Sequence, residues 1–99
     1  LANQVRDTIK QSVEHSFRVS SSLTRNQLWQ ALTPQMFRFG VLLQALNRAK
    51  KYKVSVTDES AAIEALGYQP LLVLGAYDNI KITYPEDLAL ADYLLRQQV

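Results

Sequence analysis

Several features that often carry function are missing from this 99-residue sequence. It has no cysteine, which excludes disulfides and thiolate metal sites and suits a reducing cytosol. It has a single histidine, His15, and one imidazole does not make a metal site, which needs several ligands. It shows no secretory signal pattern and no apolar run of roughly 18 residues that could span a bilayer. We therefore expect a cytoplasmic protein with no membrane partner.

The sequence also has few glycines and a small net charge. The three glycines, Gly40, Gly67 and Gly75, are isolated, so they cannot assemble a phosphate-cradling loop. The formal net charge is only +2, and the basic cluster at 48–53 falls at the end of a predicted helix, where cations are favourable. We expect no nucleic-acid partner.

Strand and helix patterns alternate along the chain, which indicates an α/β fold. Alternating β-branched and polar residues predict strands over 4–11 and 13–21, as a two-stranded ribbon, and a short strand over 28–32. Thr33 is expected to cap a helical turn that begins at Pro34. Because the ribbon contains few apolar residues, we expect it to need a partner.

The second half of the chain has clearer periodicity. Apolar residues at helical spacing predict a helix over about 39–51. Thr57 is expected to cap a second helix that ends before Gly67. The apolar run at 70–74 predicts a buried strand, and a last helix is predicted over 84–97.

A short β-type run at 80–82 leads into that last helix. Thr83 and Glu86 have the spacing of a capping box, and Pro85 suits the first helical position because its missing N–H leaves no bond unmade. Lys81 therefore lies just before a firmly anchored helix start, where α/β enzymes often carry catalytic groups. The alternative is that Lys81 only decorates an edge strand.

Four blocks of sequence, taken in order, carry a resemblance to a known family. They are residues 5–10 (VRDTIK), 25–37 (RNQLWQALTPQMF), 57–60 (TDES), and 79–83 (NIKIT) followed by 85–91 (PEDLALA). Together they resemble the C-terminal part of the 2-C-methyl-D-erythritol 4-phosphate cytidylyltransferases, over nearly all of the chain. This chain departs from the family pattern at Ala76 and Tyr77, where a charged or small polar residue is often found. It departs again at Tyr84, before Pro85, where a smaller or basic residue is found in others.

The resemblance implies an α/β fold, the C-terminal part of a Rossmann-like nucleotidyltransferase with a projecting β-arm. Residues 1–25 would form the arm, which pairs two subunits in a homodimer. Residues 26–99 would form the C-terminal part of the catalytic domain. Family chains are more than twice this length and open with a Gly-rich loop that holds the nucleotide. We therefore expect a fragment that lacks the N-terminal nucleotide-binding half and is inactive alone.

The resemblance also implies the reaction of the longer parent enzyme. It transfers CMP from CTP to 2-C-methyl-D-erythritol 4-phosphate and releases pyrophosphate, in non-mevalonate isoprenoid biosynthesis. A divalent metal, Mg²⁺, is expected, with its ligands in the missing half. Lys81 matches the family's catalytic lysine near the reacting phosphates. Thr8, Arg25, Thr33 and Thr57 match positions that contact the sugar phosphate, the first two across the dimer.

Other interpretations stay open at this point. The chain could be a non-catalytic dimerisation or interaction module, which would explain the missing nucleotide loop without truncation. Thr33 and Thr57 are good helix caps with or without a substrate, and Arg25 could be a solvated surface residue.

Overall fold

The computed structural model describes residues 1–98. Its elements, in chain order, are β1 (Ala2–Gln4), β2 (Lys10–Ser12), β3 (Val19–Ser22), a 3-10 helix (Arg25–Gln27), β4 (Trp29–Ala31), α1 (Phe39–Lys51), α2 (Glu59–Ala65) and α3 (Pro85–Arg96). They form two compact units: a first unit from residues 1–33 and those from 74 onward, and a second unit from residues 34–73. Within residues 1–98, no helix combines the length and apolar character needed to cross a membrane.

In the first unit, β1 is paired along both of its edges. It runs antiparallel to β4, with Ala2 opposite Ala31. On its other edge Ala2 forms a parallel bridge with Leu74, and the Gly75 N–H donates to the Ala2 carbonyl at 3.0 Å. Ala2 and Asn3 are buried as a result. The strand predicted over 28–32 is confirmed as β4.

The predicted ribbon is also present in the first unit. β2 and β3 pair antiparallel, with an irregularity in register between Gln11 and Ser12. Residues 13–18 form the connecting turn, which the Val13 N–H closes by donating to the Arg18 carbonyl at 2.8 Å. The strands are shorter than the predicted 4–11 and 13–21 because this turn takes up the middle of the segment. Every residue of β2 and β3 is exposed.

The second unit is a pair of packed helices. α1 occupies the residues predicted for it, and the small side chain of Ala45 lets it approach Ala62 and Ile63 of α2 closely. These three residues are buried, at 1–3% exposure. The partly buried apolar residues around them are Phe37, Val41, Leu42, Val56 and Leu66. This apolar contact holds the second unit together.

The start of α2 lies one residue later than the sequence suggests. The Asp58 carboxylate accepts a hydrogen bond from the Ala61 N–H at 2.8 Å, so Asp58 is the N-cap and the prediction that Thr57 caps this helix is wrong. Aspartate and threonine are both good N-cap residues, and pattern alone does not separate neighbours. The predicted helix end is confirmed, because Gly67 follows it with φ of +95°.

The helical turn predicted at Pro34 is absent, since residues 33–38 contain no helix. The Gln35 side chain explains this, because it binds the start of α2 instead. Its amide donates to the Asp58 carboxylate at 2.9 Å, and its Oε1 accepts from the Ser60 N–H at 3.0 Å. These bonds hold the segment in a non-helical course up to α1.

Two predicted strands, 70–74 and 80–82, are not formed. A strand needs N–H and C=O groups of a neighbour, and the described residues offer the first run only the bridge at Leu74. Its apolar side chains remain exposed, Leu71 at 90%. The second run has a local bond instead, from the Ile80 N–H to the Asp78 carbonyl at 2.9 Å.

The last helix is confirmed as α3, but its cap also lies one residue later than predicted. The Asp87 carboxylate accepts from the N–H groups of Thr83 and Tyr84, both at 2.9 Å. Tyr84 is the N-cap and Pro85 takes the first helical position, so the pairing of Thr83 with Glu86 is wrong. The side chain of Asp87, and not that of Glu86, reaches back to the backbone at this start.

We expect Gly67→Ala to lower the free energy of unfolding by about 1–2 kcal/mol, because alanine is strained at positive φ. Gly40→Ala is the matched control. Gly40 is the second residue of α1, and an added Cβ would meet nothing within 4 Å. Because this position lies in the first turn and not in the helix interior, that change should stabilise the protein by at most about 0.5 kcal/mol. Urea unfolding of both variants measures the difference, and a stabilised Gly67→Ala variant would contradict the assigned helix end.

The pKa of the Asp87 carboxyl is lowered by hydrogen bonds from the backbone N–H groups of Tyr84 and Thr83. A carboxyl whose pKa is lower in the folded state stabilises that state at pH values above its unfolded-state pKa, which is about 3.9 for aspartate. This contribution to the free energy of unfolding is lost as the pH falls through the folded-state pKa. We expect α3 to lose stability below about pH 4. Asp87→Asn should flatten this dependence, while Glu86→Gln, in the same helical turn, should leave it intact. Amide exchange at Thr83 and Tyr84 measured against pH checks both.

Candidate functional site

Lys81 lies in the first unit, between a turn and the start of α3. Its side chain is exposed, and within residues 1–98 its ammonium forms no hydrogen bond or ion pair. No strand includes it, so the structure does not support the interpretation of Lys81 as an edge-strand residue. Its cation is therefore available to an anionic ligand.

The turn before Lys81 is tied to the rest of the first unit by hydrogen bonds. The Asn79 N–H donates to the Ala76 carbonyl at 3.2 Å and closes the turn. The Asn79 side chain donates to the Thr33 carbonyl at 2.6 Å, and the Asn3 side chain donates to the Ala76 carbonyl at 3.2 Å. The structure thus joins the segment that carries Lys81 to the residue Thr33, which follows β4.

The segment after Lys81 is anchored as well. Asp87 holds the N–H groups of Thr83 and Tyr84, and the Thr83 hydroxyl lies 3.4 Å from the Lys81 carbonyl, to which it donates. The carboxylate of Asp87 places a negative charge at the helix start. An anion near this junction would therefore be met by the Lys81 side chain rather than by the N–H groups of the helix.

Arg25 is exposed but held in place. Its Nη1 donates to the Arg6 carbonyl at 2.7 Å, which gives this exposed side chain one contact within the first unit. The guanidinium of Arg6 in turn lies over the Tyr77 ring, 4.7 Å from the ring centroid. Thr8 is exposed on the segment between β1 and β2, two residues from Arg6, and its hydroxyl has no hydrogen-bond partner in the described part of the chain.

The two remaining threonines lie in different units. Thr33, at the end of the first unit, is exposed and uses its carbonyl to accept from Asn79. Thr57 belongs to the second unit and is also exposed. Because Asp58 caps α2, the hydroxyl of Thr57 is not consumed as a helix cap. Both hydroxyls could therefore donate to a ligand.

Sequence reasoning did not find the contacts of Asn3, Arg6 and Tyr77. The only signal was that Tyr77 departs from the family pattern, which gave no hint of its partner.

The described residues were also searched for a metal site. Residues 1–98 contain no group of three histidine, aspartate or glutamate side chains arranged to bind a metal ion.

The comparison with protein families identifies a family for this chain. The model of the 2-C-methyl-D-erythritol 4-phosphate cytidylyltransferase family matches residues 1–97. Among curated proteins of that name, the one from Baumannia cicadellinicola subsp. Homalodisca coagulata is 52% identical over 99 residues. The one from Buchnera aphidicola subsp. Schizaphis graminum is 48% identical over 97 residues. Each alignment covers 98% of this chain and 41% of the relative, so the chain spans about two fifths of these relatives' length.

Solved structures agree with this match. The crystal structure of the cytidylyltransferase from Thermus thermophilus superimposes with a TM-score of 0.84 at 30% identity. It is matched over 96% of this chain and 46% of that chain. A crystal structure of 4-diphosphocytidyl-2C-methyl-D-erythritol synthase gives 0.79 at 40% identity, with 96% and 41% covered.

These likenesses confirm the expected fold class, the C-terminal part of a Rossmann-like α/β nucleotidyltransferase fold. The projecting arm at residues 1–25 and the boundary at residue 26 stay predictions. The chain belongs to the 2-C-methyl-D-erythritol 4-phosphate cytidylyltransferase family.

Proposed function

We propose that this chain is the C-terminal part of an enzyme that transfers CMP from CTP to 2-C-methyl-D-erythritol 4-phosphate. Pyrophosphate is released, and the reaction belongs to non-mevalonate isoprenoid biosynthesis. The observation that carries the proposal is the family match over residues 1–97. It favours an enzyme over the alternative of a non-catalytic interaction module.

In this reaction a phosphate oxygen of the sugar phosphate attacks the α-phosphorus of CTP. A new P–O bond forms as the bond to the β-phosphate oxygen breaks, and pyrophosphate carries away the bonding electrons. Negative charge gathers on the non-bridging oxygens of the α-phosphate, so the protein must supply fixed positive charge and hydrogen-bond donors there. Lys81 suits this task because its ammonium is uncommitted and its segment is anchored on both sides.

The sugar phosphate would be held by Thr8, Arg25, Thr33 and Thr57. Arg25 is suited to a phosphate because a guanidinium can donate two parallel hydrogen bonds. Only one of its donors is used within the described residues, on the Arg6 carbonyl. The three threonines would donate hydroxyl hydrogen bonds to the phosphate or the polyol. We assign the Thr8 and Arg25 contacts to the active site of the neighbouring subunit.

The proposal includes the conditions under which the enzyme works. CTP and methylerythritol phosphate are its substrates, and a divalent metal, with Mg²⁺ as the expected ion, has its ligands outside this segment. The enzyme is cytoplasmic and homodimeric, and residues 1–25 form the dimerisation arm. The 99-residue chain alone is inactive, because its isolated glycines cannot form a loop that holds the nucleotide.

Lys81→Ala in the full-length enzyme should lower kcat on the order of 100- to 1000-fold, or about 3–4 kcal/mol of transition-state stabilisation. Loss of an exposed lysine should lower the free energy of unfolding by less than about 0.5 kcal/mol. Lys50→Ala, an exposed lysine on α1, is the control and should keep normal turnover. Steady-state kinetics with melting curves measure both effects. A loss of activity below about threefold would leave Lys81 without a catalytic role.

The dimerisation arm is tested at the tip of the ribbon. Phe17 is fully exposed there, and Ile9, Val13, Val19 and Leu23 are further exposed apolar residues of the same segment. Burial of one phenylalanine against a second subunit contributes about 1.5–3 kcal/mol. We therefore expect Phe17→Ser to raise the dimer dissociation constant on the order of 10- to 100-fold.

Sedimentation equilibrium of the full-length enzyme provides the measurement. Phe39→Ser changes an equally large exposed side chain outside the arm, at the start of α1, and should leave the dissociation constant unchanged. An unchanged constant in Phe17→Ser, or an equal rise in both variants, would argue against dimerisation through the arm.

A further inference from the structure

The stack of Arg6 on Tyr77 has no part in the proposed reaction itself. The guanidinium lies 4.7 Å from the ring centroid, and both residues belong to the first unit. A guanidinium over a tyrosine face is attracted by the negative charge of the ring. The stack therefore joins the chain just after β1 to the turn that leads to Lys81.

Arg6 also contacts Arg25, through its backbone. The Arg6 carbonyl accepts the Nη1 hydrogen bond of Arg25 at 2.7 Å. One residue earlier, the Val5 N–H donates to the Leu28 carbonyl at 3.2 Å. The backbone at Arg6 is thus held by strand pairing on one side and by the stacked side chain on the other. Its carbonyl has a fixed direction in which to receive Arg25.

A guanidinium has five N–H donors, so one bond to a carbonyl leaves enough for two parallel bonds to a phosphate. An arginine already held in one conformation loses less conformational entropy when its ligand binds. The bond to the Arg6 carbonyl therefore favours phosphate binding without taking part in it.

We propose that Tyr77 and Arg6 are positioning residues, which hold Arg25 ready for the phosphate of methylerythritol phosphate. The inference rests on the proposed function, and in particular on Arg25 as a substrate-binding residue. Neither Tyr77 nor the Arg6 side chain touches the substrate. The stack therefore affects the KM for the sugar phosphate, while kcat and the KM for CTP do not depend on it.

Variants of the full-length enzyme test this. Tyr77→Leu removes the ring, Tyr77→Phe keeps it, and Tyr93→Leu makes the same change at another exposed tyrosine, on α3. Tyr77→Leu should raise the KM for methylerythritol phosphate roughly two- to five-fold, the worth of an exposed cation–π contact. Tyr77→Phe and Tyr93→Leu should keep the wild-type KM. An unchanged KM in Tyr77→Leu, or an equal rise in Tyr77→Phe, overturns the proposal.

A double-mutant cycle separates positioning from a general structural effect. In an Arg25→Ala background, Tyr77→Leu should raise the KM no further, because no side chain remains to be positioned. A merely structural Tyr77 would raise the KM equally in both backgrounds, and that outcome overturns the proposal. So does an Arg25→Ala variant with a normal KM, although cytidylyl transfer itself would still stand.

If the wild-type enzyme shows no cytidylyl transfer, the proposed function fails, and the positioning contact is then tested without activity. Amide hydrogen exchange at Arg6 and Asp7 should be faster in Tyr77→Leu than in Tyr77→Phe. Equal exchange in the two variants would show that the ring does not hold this part of the backbone, and would overturn the inference independently of the reaction.

Discussion

The pairing of β1 on both edges is the constraint on which the first unit depends. Ala2 lies opposite Ala31 on one edge and bridges Leu74 on the other, and it is 1% exposed. The same strand therefore fixes two segments that matter for the proposed chemistry. The C-terminal end of β1, at Gln4, leads into the ribbon. The hydrogen bond that the Gly75 N–H donates to the Ala2 carbonyl lies just before the turn that leads to Lys81.

The close approach at Gly75 shows how tightly this arrangement is packed. A Cβ at this position would lie 3.0 Å from the Leu32 Cδ1 atom and 3.5 Å from the Leu1 Cβ atom. Beside it, Asn3 is 3% exposed, and its Oδ1 has no hydrogen-bond partner among the described residues. The Asn3 Nδ2 donates to the Ala76 carbonyl at 3.2 Å, so a side-chain bond adds to the backbone pairing that restrains this turn.

Helix periodicity was predictable from the sequence, whereas the exact helix caps and the contacts between distant residues were not. The helix over 39–51 follows from its apolar spacing, and the end at Gly67 follows from a residue that tolerates positive φ. The run 70–74 has the composition of a strand, but a strand also needs neighbours, and composition does not supply them. The site residues came from the family resemblance, whereas the contact of Arg6 with Tyr77 joins residues far apart in sequence and had no local signal.

Carboxylates at the starts of α2 and α3 limit what these two helix ends can offer a phosphate. Helix N-termini often bind anions through their free N–H groups. Here Asp58 accepts from the Ala61 N–H at the start of α2, and Asp87 accepts from Thr83 and Tyr84 at the start of α3. Each carboxylate both occupies donors and repels a second anion nearby. The starts of α2 and α3 are therefore less suited to a phosphate, whereas the uncommitted ammonium of Lys81 and the guanidinium of Arg25 keep donors for the chemistry that we propose.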